Sequence, residues 1–206
     1  MKTTVSSPAF RLLTPEERAT SMQRTLRSGW DGTHDLWIFG YGSLIWRPEF
    51  DHSESRLATL RGYHRSLCLW SRVNRGTPEI PGLVFGLDRG GSCKGMTFRL
   101  PRAKVESVFP QLWEREMPSG AYLPRWLGCQ TPEGPVTALA FVMDRRNSGY
   151  AGRLPEHEVV QIVRRGIGRY GHCVEYVAET ARALRHHGII DSRLENLVHR
   201  LEHHTE

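Results

Sequence analysis

Short apolar segments separated by glycine- and proline-rich stretches fill the middle of the chain. The first, a Leu-Trp-Ile-Phe run at residues 36–39, ends abruptly at a Gly-Tyr-Gly-Ser sequence, residues 40–43. Apolar or alternating runs predict further strands at about 57–60, 66–71, 83–87, 95–100, 121–129 and 135–143. Turns are expected between them, among others at residues 74–78 and at Arg89-Gly90-Gly91. The pattern therefore indicates a sheet of consecutive short strands.

Helical patterns lie on both sides of this region and also interrupt it once. Thr14, followed by Pro15 and Glu17, is a helix start, because threonine caps the first turn and glutamate three residues later returns a hydrogen bond. The predicted helices run from there to about Gly29, from Pro101 to Met117, and through the C-terminal third after Pro155, ending with one from Asp191. On the last helix one face carries Leu194, Leu197, Val198 and Leu201.

The order of these elements defines a fold class. The chain has no internal repeat and no low-complexity linker. We predict one α+β domain over residues 35–206, with a mostly antiparallel or mixed sheet. Residues 1–34 are predicted to form an N-terminal helical extension that packs on this domain.

Composition narrows the class of protein. The 206 residues are 39% hydrophobic and 24% charged, as in an ordinary globular domain. No run approaches the roughly 18 apolar residues of a membrane helix, and the N-terminus lacks the apolar core of a signal peptide. The four cysteines are scattered, which fits free thiols in a reducing compartment. We therefore expect a cytoplasmic protein with no membrane partner.

Charge and histidine content do not indicate a metal or a nucleic acid. Neighbouring histidines, such as His186 and His187, point about 100° apart on a helix and chelate poorly, so we predict no metal site. The net charge is +6, but the basic residues are dispersed and form no run of five. This pattern favours an anionic small substrate over nucleic acid.

The glycine loop after the first predicted strand is one candidate site. Two glycines around one aromatic residue let the backbone N–H groups face one way, which suits a carboxylate or a developing oxyanion. An ordinary tight turn is the alternative. A dinucleotide-binding loop would need glycine where Ile45 stands, and no P-loop lysine or hydrolase elbow is present. We expect Gly42 to adopt a positive φ, or to leave space for a substrate carboxylate.

The helix that ends near Met117 carries the second candidate. Val105, Val108, Phe109 and Leu112 form an apolar stripe. Glu116 continues this stripe, whereas Glu114 points to the opposite face. A carboxyl group on a core-facing stripe loses solvation, so its pKa should rise toward the range useful for acid/base catalysis. A buried pair with an arginine, or a frayed last turn, would explain the same position.

Several motifs together resemble those of one family. Residues 37–46, Trp-Ile-Phe-Gly-Tyr-Gly-Ser-Leu-Ile-Trp, resemble the signature of the ChaC family of γ-glutamylcyclotransferases. Further motifs follow in the same order as in the family: Arg75-Gly76-Thr77 with Pro81-Gly82, Phe98-Arg99-Leu100-Pro101, Trp113-Glu114-Arg115-Glu116-Met117 and Gly120-Ala121-Tyr122. The resemblance covers residues 36 to about 201, and residues 1–34 resemble the extension of the longer bacterial members.

This resemblance implies a γ-glutamylcyclotransferase-like fold, a small mixed β-barrel flanked by helices. It implies a lyase of glutathione catabolism that converts glutathione to 5-oxoproline and Cys-Gly without a cofactor. The catalytic residue would be Glu116. The segment that binds the γ-glutamyl group would contain Ile38, Phe39, Gly40, Tyr41, Gly42 and Ser43, and Tyr150 and Tyr176 fall where family members have site tyrosines.

Two arginines are candidates for the far end of such a substrate. Arg72 and Arg75 precede Gly76, and a guanidinium group matches the geometry of a carboxylate such as that of the glycyl residue. Solvated loop arginines are the alternative. For the whole protein, two further alternatives remain: a cyclotransferase for other γ-glutamyl amino acids or γ-glutamyl amines, and a non-catalytic module that binds carboxylate ligands.

Overall fold

The computed structural model describes residues 10–203, in which helices surround a central sheet. The α-helices are α1 (Pro15–Gly29), α2 (Val105–Glu116), α3 (Glu156–Arg165), α4 (Cys173–His186) and α5 (Ser192–His203). The strands are β1 (Leu36–Gly40), β2 (Glu54–Ser71), β3 (Gly82–Leu100), β4 (Tyr122–Thr131), β5 (Gly134–Met143), β6 (Ile167–Gly168) and β7 (Gly171–His172). Short 3₁₀ helices occupy Ser43–Ile45 and Arg102–Lys104.

Strands β1 to β5 close into a barrel in the order β1-β3-β2-β4-β5. Neighbours along this order are antiparallel. The barrel closes where β1 runs parallel to β5, with Trp37 opposite Ala138 and Ile38 opposite Leu139. The sheet is mixed, so the predicted α+β fold with a small mixed barrel is confirmed.

Strands β2 and β3 are longer than the sequence predicts. The predicted strands 57–60 and 66–71 merge into β2, and 83–87 and 95–100 merge into β3. The predicted turn at Arg89-Gly90-Gly91 is wrong, because these residues lie inside β3.

The glycines in this region serve a bend rather than a turn. Gly90 and Gly91 have φ values of +100° and +71°. They lie opposite a register shift between Arg61 and Tyr63 of β2. A bulge of this kind bends and twists a strand without ending it. The hairpin β2–β3 can therefore follow the curvature of the barrel.

Two clusters of buried apolar side chains form the core. One contains Phe39, and the other contains Ile38, Phe109 and Trp113. Phe39 and Ile38 are neighbours on β1, and successive side chains of a strand point to opposite faces. Strand β1 therefore separates the two clusters, and α2 covers the one that contains Ile38.

Helix α1 starts at the predicted capping box of Thr14 and Glu17 and ends at Gly29. Its neighbours are α2 and β4. The indole nitrogen of Trp126 in β4 donates a hydrogen bond of 2.9 Å to the carbonyl oxygen of Thr25. The extension thus packs on the barrel as expected, although the division of the chain at residue 35 stays a prediction. Its first nine residues lie outside the described part.

The C-terminal helices cover one side of the barrel. Helix α4 packs against β3 and the first 3₁₀ helix. The indole nitrogen of Trp46 donates to Thr180 Oγ1 over 3.2 Å, which ties the segment after the glycine loop to α4. On α5 the predicted apolar face is buried at Leu194, Leu197 and Val198. This packing places Tyr176 of α4 close to the glycine loop.

Candidate active site

The glycine loop follows β1 and leads directly into the 3₁₀ helix. An added Cβ at Gly40 would lie 3.0 Å from the ring of Phe98 and 3.1 Å from Leu44 Cβ, so a side chain has little room there. The carbonyl oxygen of Gly42 accepts a hydrogen bond of 3.0 Å from the N–H of Ile45. Within residues 10–203, the N–H groups of Gly42, Ser43 and Leu44 have no protein acceptor. They remain available to a ligand.

The reason expected for Gly42 needs correction. Its φ is −132°, so a positive φ does not explain this glycine. Instead, an added Cβ would lie 3.2 Å from the hydroxyl oxygen of Tyr176. Close approach of α4 to the loop is the constraint at this position.

A cleft of about 680 Å³ opens beside the loop. Pockets for small ligands usually measure about 300–1,000 Å³. The charged residues of the lining are Arg18, Arg47, Arg72, Arg75, Arg115 and Arg169, with Glu49, Glu114 and Glu116. Arginine outnumbers glutamate in the cleft, so it favours an anionic ligand.

Glu116 is the last residue of α2 and lies at the cleft. Its side chain is 14% exposed, and its Oε1 lies 3.0 Å from Nε of Arg115. Burial raises the pKa of the Glu116 carboxyl group, and the negative charge of Glu49 adds to this, while Arg115 opposes it. Glu114, two residues earlier, is exposed. The raised pKa expected for Glu116 is confirmed, and an arginine pair is present as well. The expectation that Glu114 faces away from the pocket is wrong, because Glu114 also lines the cleft, although it is more exposed than Glu116.

Arg115 connects the glutamate to the glycine loop. Its Nη2 donates to Ser43 Oγ over 3.0 Å, and its Nη1 lies 2.9 Å from Glu49 Oε2. Neighbouring side chains on a helix normally diverge. Here the helix ends at Glu116, and Met117 has already left helical geometry with φ −116° and ψ 38°. One guanidinium group therefore fixes Glu116, Ser43 and Glu49 relative to one another.

Three buried tyrosines surround Glu116. Burial raises the pKa of Tyr41, Tyr122 and Tyr176, and the negative charge of Glu116 adds to each increase. The hydroxyl of Tyr41 donates to the carbonyl oxygen of Phe141 over 3.0 Å, and that of Tyr122 donates to the carbonyl oxygen of Phe85 over 2.9 Å. Both tyrosines are therefore neutral and held in place.

Tyr176 differs from the other two tyrosines. Its hydroxyl oxygen accepts a hydrogen bond of 3.1 Å from the N–H of Phe85. Its own O–H has no acceptor within residues 10–203. Because Tyr176 lines the cleft beside Gly42, it presents a free donor next to the N–H groups of the loop.

The two candidate arginines have different surroundings. Nη1 of Arg72 is buried and makes no hydrogen bond in the described part of the chain. Nη1 of Arg75 donates to the carbonyl oxygen of His172 over 3.0 Å and lies 3.8 Å from Glu175 Oε2. A buried donor without a partner is costly unless a ligand satisfies it. Arg72 is therefore the better candidate for binding a carboxylate, and Arg75 is engaged within the protein.

The structure brings together seven of the residues that the sequence singles out. Those that line the cleft are Tyr41, Gly42, Ser43, Arg72, Arg75, Glu116 and Tyr176. Ile38 and Phe39 are fully buried in the core, and Gly40, the last residue of β1, is buried and does not line the cleft. Tyr150 does not line the cleft, and its hydroxyl donates to Asp88 Oδ2 over 2.9 Å.

Sequence reasoning missed three site residues. Tyr122, Arg115 and Glu49 are not among the predicted site residues, although Tyr122 and Arg115 belong to the motifs quoted above. Their roles depend on contacts between distant segments, for example Arg115 with Ser43. A search for polar residues inside the shared motifs would have found the first two.

Within residues 10–203, no helix is long and apolar enough to cross a membrane. No group of three or more His, Cys, Asp or Glu side chains in the same range is arranged to hold a metal ion.

The fold resembles a solved structure of known class. The crystal structure of the yeast γ-glutamylcyclotransferase specific to glutathione superimposes with a TM-score of 0.76, at 19% identity, over 84% of this chain and 100% of that chain. The barrel and its helices are thus those of a γ-glutamylcyclotransferase fold.

Sequence comparison gives the family. Residues 36–204 match the family described as ChaC-like protein. The glutathione-specific γ-glutamylcyclotransferase of Escherichia coli K12 is 35% identical over 188 residues, which are 91% of this chain and 81% of that protein. The glutathione-specific γ-glutamylcyclotransferase 1 of Mus musculus is 36% identical over 151 residues, 71% of this chain and 68% of that protein. The chain belongs to the ChaC-like family.

Proposed function

We propose that this protein is a glutathione-specific γ-glutamylcyclotransferase with Glu116 as its acid/base. The observation that carries the proposal is the largely buried Glu116 carboxyl group, held by Arg115 at a cleft where the loop N–H groups have no acceptor within residues 10–203. The names of the relatives in E. coli and mouse support glutathione as the substrate.

The reaction needs one group that takes up and returns a proton. The α-amine of the γ-glutamyl group attacks its own γ-carbonyl carbon; the new C–N bond closes a five-membered lactam, and the C–N bond to cysteine breaks. Glu116 accepts the proton that the attacking nitrogen loses and gives it to the leaving nitrogen of Cys-Gly. Because its pKa is raised, the Glu116 carboxyl group can act as base and then as acid closer to neutral pH.

Negative charge that develops on the γ-carbonyl oxygen needs hydrogen-bond donors. The O–H of Tyr176 and the N–H groups of Gly42 and Ser43 have no protein acceptor within residues 10–203, and all three residues line the cleft. Donors that are already fixed stabilise a transition state without reorganisation. We assign this group of donors to the γ-glutamyl moiety, either at the oxyanion or at the α-carboxylate.

Arg72 is assigned to the glycyl carboxylate. Its buried Nη1 has no hydrogen-bond partner in the described part of the chain, whereas Nη1 of Arg75 donates to the carbonyl oxygen of His172. Arg75 instead supports the site, since its guanidinium carbon lies 5.5 Å from the ring centre of Tyr176. Glutathione should therefore bind better than γ-glutamyl compounds without a glycyl group.

No step of this mechanism requires a metal, a nucleotide or another cofactor. We place the protein in the cytoplasm, where glutathione is abundant and where its four free cysteines would stay reduced. Its partner is the small substrate. The arginines of the cleft are explained by that anion, so a nucleic-acid partner is not needed.

The central test compares two glutamates on one helix. Glu116→Gln keeps the shape of the side chain but cannot transfer a proton, so kcat for 5-oxoproline formation should fall by about 10²–10⁴. Glu114 also lines the cleft, but it is exposed and has no role in the proton transfer, so Glu114→Gln should remain within a few-fold of the unchanged protein. Turnover is measured as 5-oxoproline and Cys-Gly released from glutathione, and circular dichroism shows whether both variants fold.

The result separates the proposal from its alternatives. An inactive Glu114→Gln beside an active Glu116→Gln would contradict the assignment of the acid/base. Equal kcat/KM for glutathione, γ-glutamyl amino acids and γ-glutamyl amines in the unchanged protein would favour a broader cyclotransferase. Binding of glutathione without any 5-oxoproline would favour a non-catalytic module.

A further inference from the structure

Part of the cleft wall comes from outside the family match. Phe10 and Leu12 line the cleft, together with Arg18 at the start of α1. The match to the family begins only at residue 36. The extension therefore contributes side chains to a site whose candidate catalytic residue, Glu116, belongs to the barrel domain.

Hydrogen bonds hold this stretch beside the end of α2. The N–H of Leu13 donates to the carbonyl oxygen of Pro118 over 2.7 Å, two residues after Glu116. Nη1 of Arg18 donates to the carbonyl oxygen of Leu13 over 2.6 Å. The capping box of Thr14 and Glu17 then starts α1. The chain is therefore anchored immediately after Phe10 and Leu12.

The two apolar side chains are left accessible. Leu12 is 55% exposed and Phe10 is 37% exposed. Single exposed apolar residues are common on protein surfaces and need no explanation. Here two of them lie on one anchored segment, and both border a cleft. Their apolar surface is available to whatever the cleft binds.

Phe10 also contacts the arginine with the unpaired nitrogen. The guanidinium carbon of Arg72 lies 5.5 Å from the centre of the Phe10 ring, a cation–π arrangement. Nη1 of Arg72 is buried without a partner in the described chain. A ligand that places a carboxylate on Arg72 would therefore bring the atoms next to that carboxylate close to Phe10.

We infer that Phe10 and Leu12 are specificity-determining residues that pack against the glycyl end of glutathione. The inference rests on the proposed function, since it assumes that the γ-glutamyl group lies at Glu116. The two side chains exclude water around the pair of Arg72 and the glycyl carboxylate, which strengthens that pair. A γ-glutamyl compound without glycine would not reach them.

The test measures binding rather than turnover. In the Glu116→Gln protein, titration calorimetry gives the Kd of glutathione and of γ-glutamylcysteine, which lacks only the glycyl residue. Phe10→Ala and Leu12→Ala should each raise the Kd of glutathione by about 5- to 20-fold, the effect of losing one partly buried apolar side chain. The Kd of γ-glutamylcysteine should change less than about twofold.

Two control variants identify the cause of any loss of affinity for glutathione. Leu57→Ala removes a leucine of similar exposure, 42%, on β2 away from the cleft, and should leave both Kd values unchanged. Phe10→Leu keeps an apolar side chain and should recover most of the affinity for glutathione. Unchanged Kd values in the Phe10 and Leu12 variants, or equal losses for both ligands, would overturn the inference.

These outcomes are distinct from failure of the proposed function. If the unchanged protein releases no 5-oxoproline while the Glu116→Gln protein still binds glutathione, the proposed reaction is wrong but the comparison of Kd values stands. If glutathione is converted and the variants bind it normally, only the role of Phe10 and Leu12 is wrong.

Discussion

At the scale of single residues, opposing effects set the properties of Glu116. Burial and the charge of Glu49 raise the pKa of its carboxyl group, and Arg115, 3.0 Å away, lowers it. The net direction is upward, because the side chain has lost most of its contact with water. A general base must be ionised before it accepts a proton. Activity should therefore fall as the pH drops through the raised pKa of Glu116.

Replacing Arg115 should shift the pH at which activity falls on the acidic side, that is, the acidic limb of the pH profile. Arg115→Gln removes the positive charge that stabilises the Glu116 carboxylate, so the pKa should rise further and the acidic limb of kcat/KM against pH should shift to higher pH. The pH profile for 5-oxoproline formation measures the shift. Arg146→Gln, at a side chain that is 85% exposed and paired with Asp144, is the control and should leave the limb in place. A limb that stays or moves to lower pH would contradict the assignment of this titration to Glu116.

At the scale of elements, the docking of α1 depends on a glycine at its last position. An added Cβ at Gly29 would lie 2.1 Å from the indole ring of Trp126, closer than any real contact. The same indole donates to Thr25 of α1, so it cannot move away without losing that hydrogen bond. Glycine here permits close packing of α1 on β4, and α1 in turn carries the segment of Phe10 and Leu12.

Gly29→Ala should therefore lower the free energy of unfolding, although alanine has a higher helix propensity than glycine. Alanine in an exposed helix normally stabilises by up to about 1 kcal/mol relative to glycine. Here we expect a loss of about 1–3 kcal/mol, the usual effect of overpacking. Gly128→Ala, two residues beyond Trp126, is the control, because its Cβ would meet no atom within 4 Å. Urea unfolding measures both. A gain in the free energy of unfolding for Gly29→Ala would show that α1 is loosely packed.

At the scale of the whole molecule, a buried ion pair joins the barrel to the C-terminal helices. Arg65 of β2 is 4% exposed at its side chain, and its Nη1 lies 2.6 Å from Oδ2 of Asp191. The same guanidinium group donates to the carbonyl oxygens of Tyr41 and Lys94. It therefore connects the glycine loop, β3 and the start of α5.

Asp191→Asn tests how much the negative charge of Asp191 contributes to the stability of this ion pair. Oδ1 of Asp191 also accepts a hydrogen bond of 3.2 Å from the N–H of Leu194, and asparagine caps a helix as well as aspartate does. Leaving Arg65 without its partner charge should cost about 2 kcal/mol of unfolding free energy. Asp51→Asn, whose 84% exposed carboxylate pairs with Lys104, should cost less than about 0.5 kcal/mol. Chemical denaturation measures both variants. Equal losses of unfolding free energy would contradict a special role for the buried pair.

Local features of the site could be read from the sequence because they depend on local geometry. Helical phase predicts that Glu116 is more buried than Glu114, and the structure agrees, although both residues line the cleft. The capping box at Thr14 and the apolar face of α5 follow from spacing of a few residues in the same way. The family motifs added the fold, which no local pattern specifies.

Other features were decided by tertiary packing. Gly90 and Gly91 indicate a turn by composition, but pairing with β2 turns them into a bend inside a long strand. Gly42 is constrained by Tyr176 from α4, far along the chain, and not by its own φ. The distinction between Arg72 and Arg75 depends on whether His172 lies within reach. The sequence by itself determined the local elements and the phase of Glu116; the closure of the barrel decided which side chains meet in the cleft, because those contacts join segments that only the fold brings together.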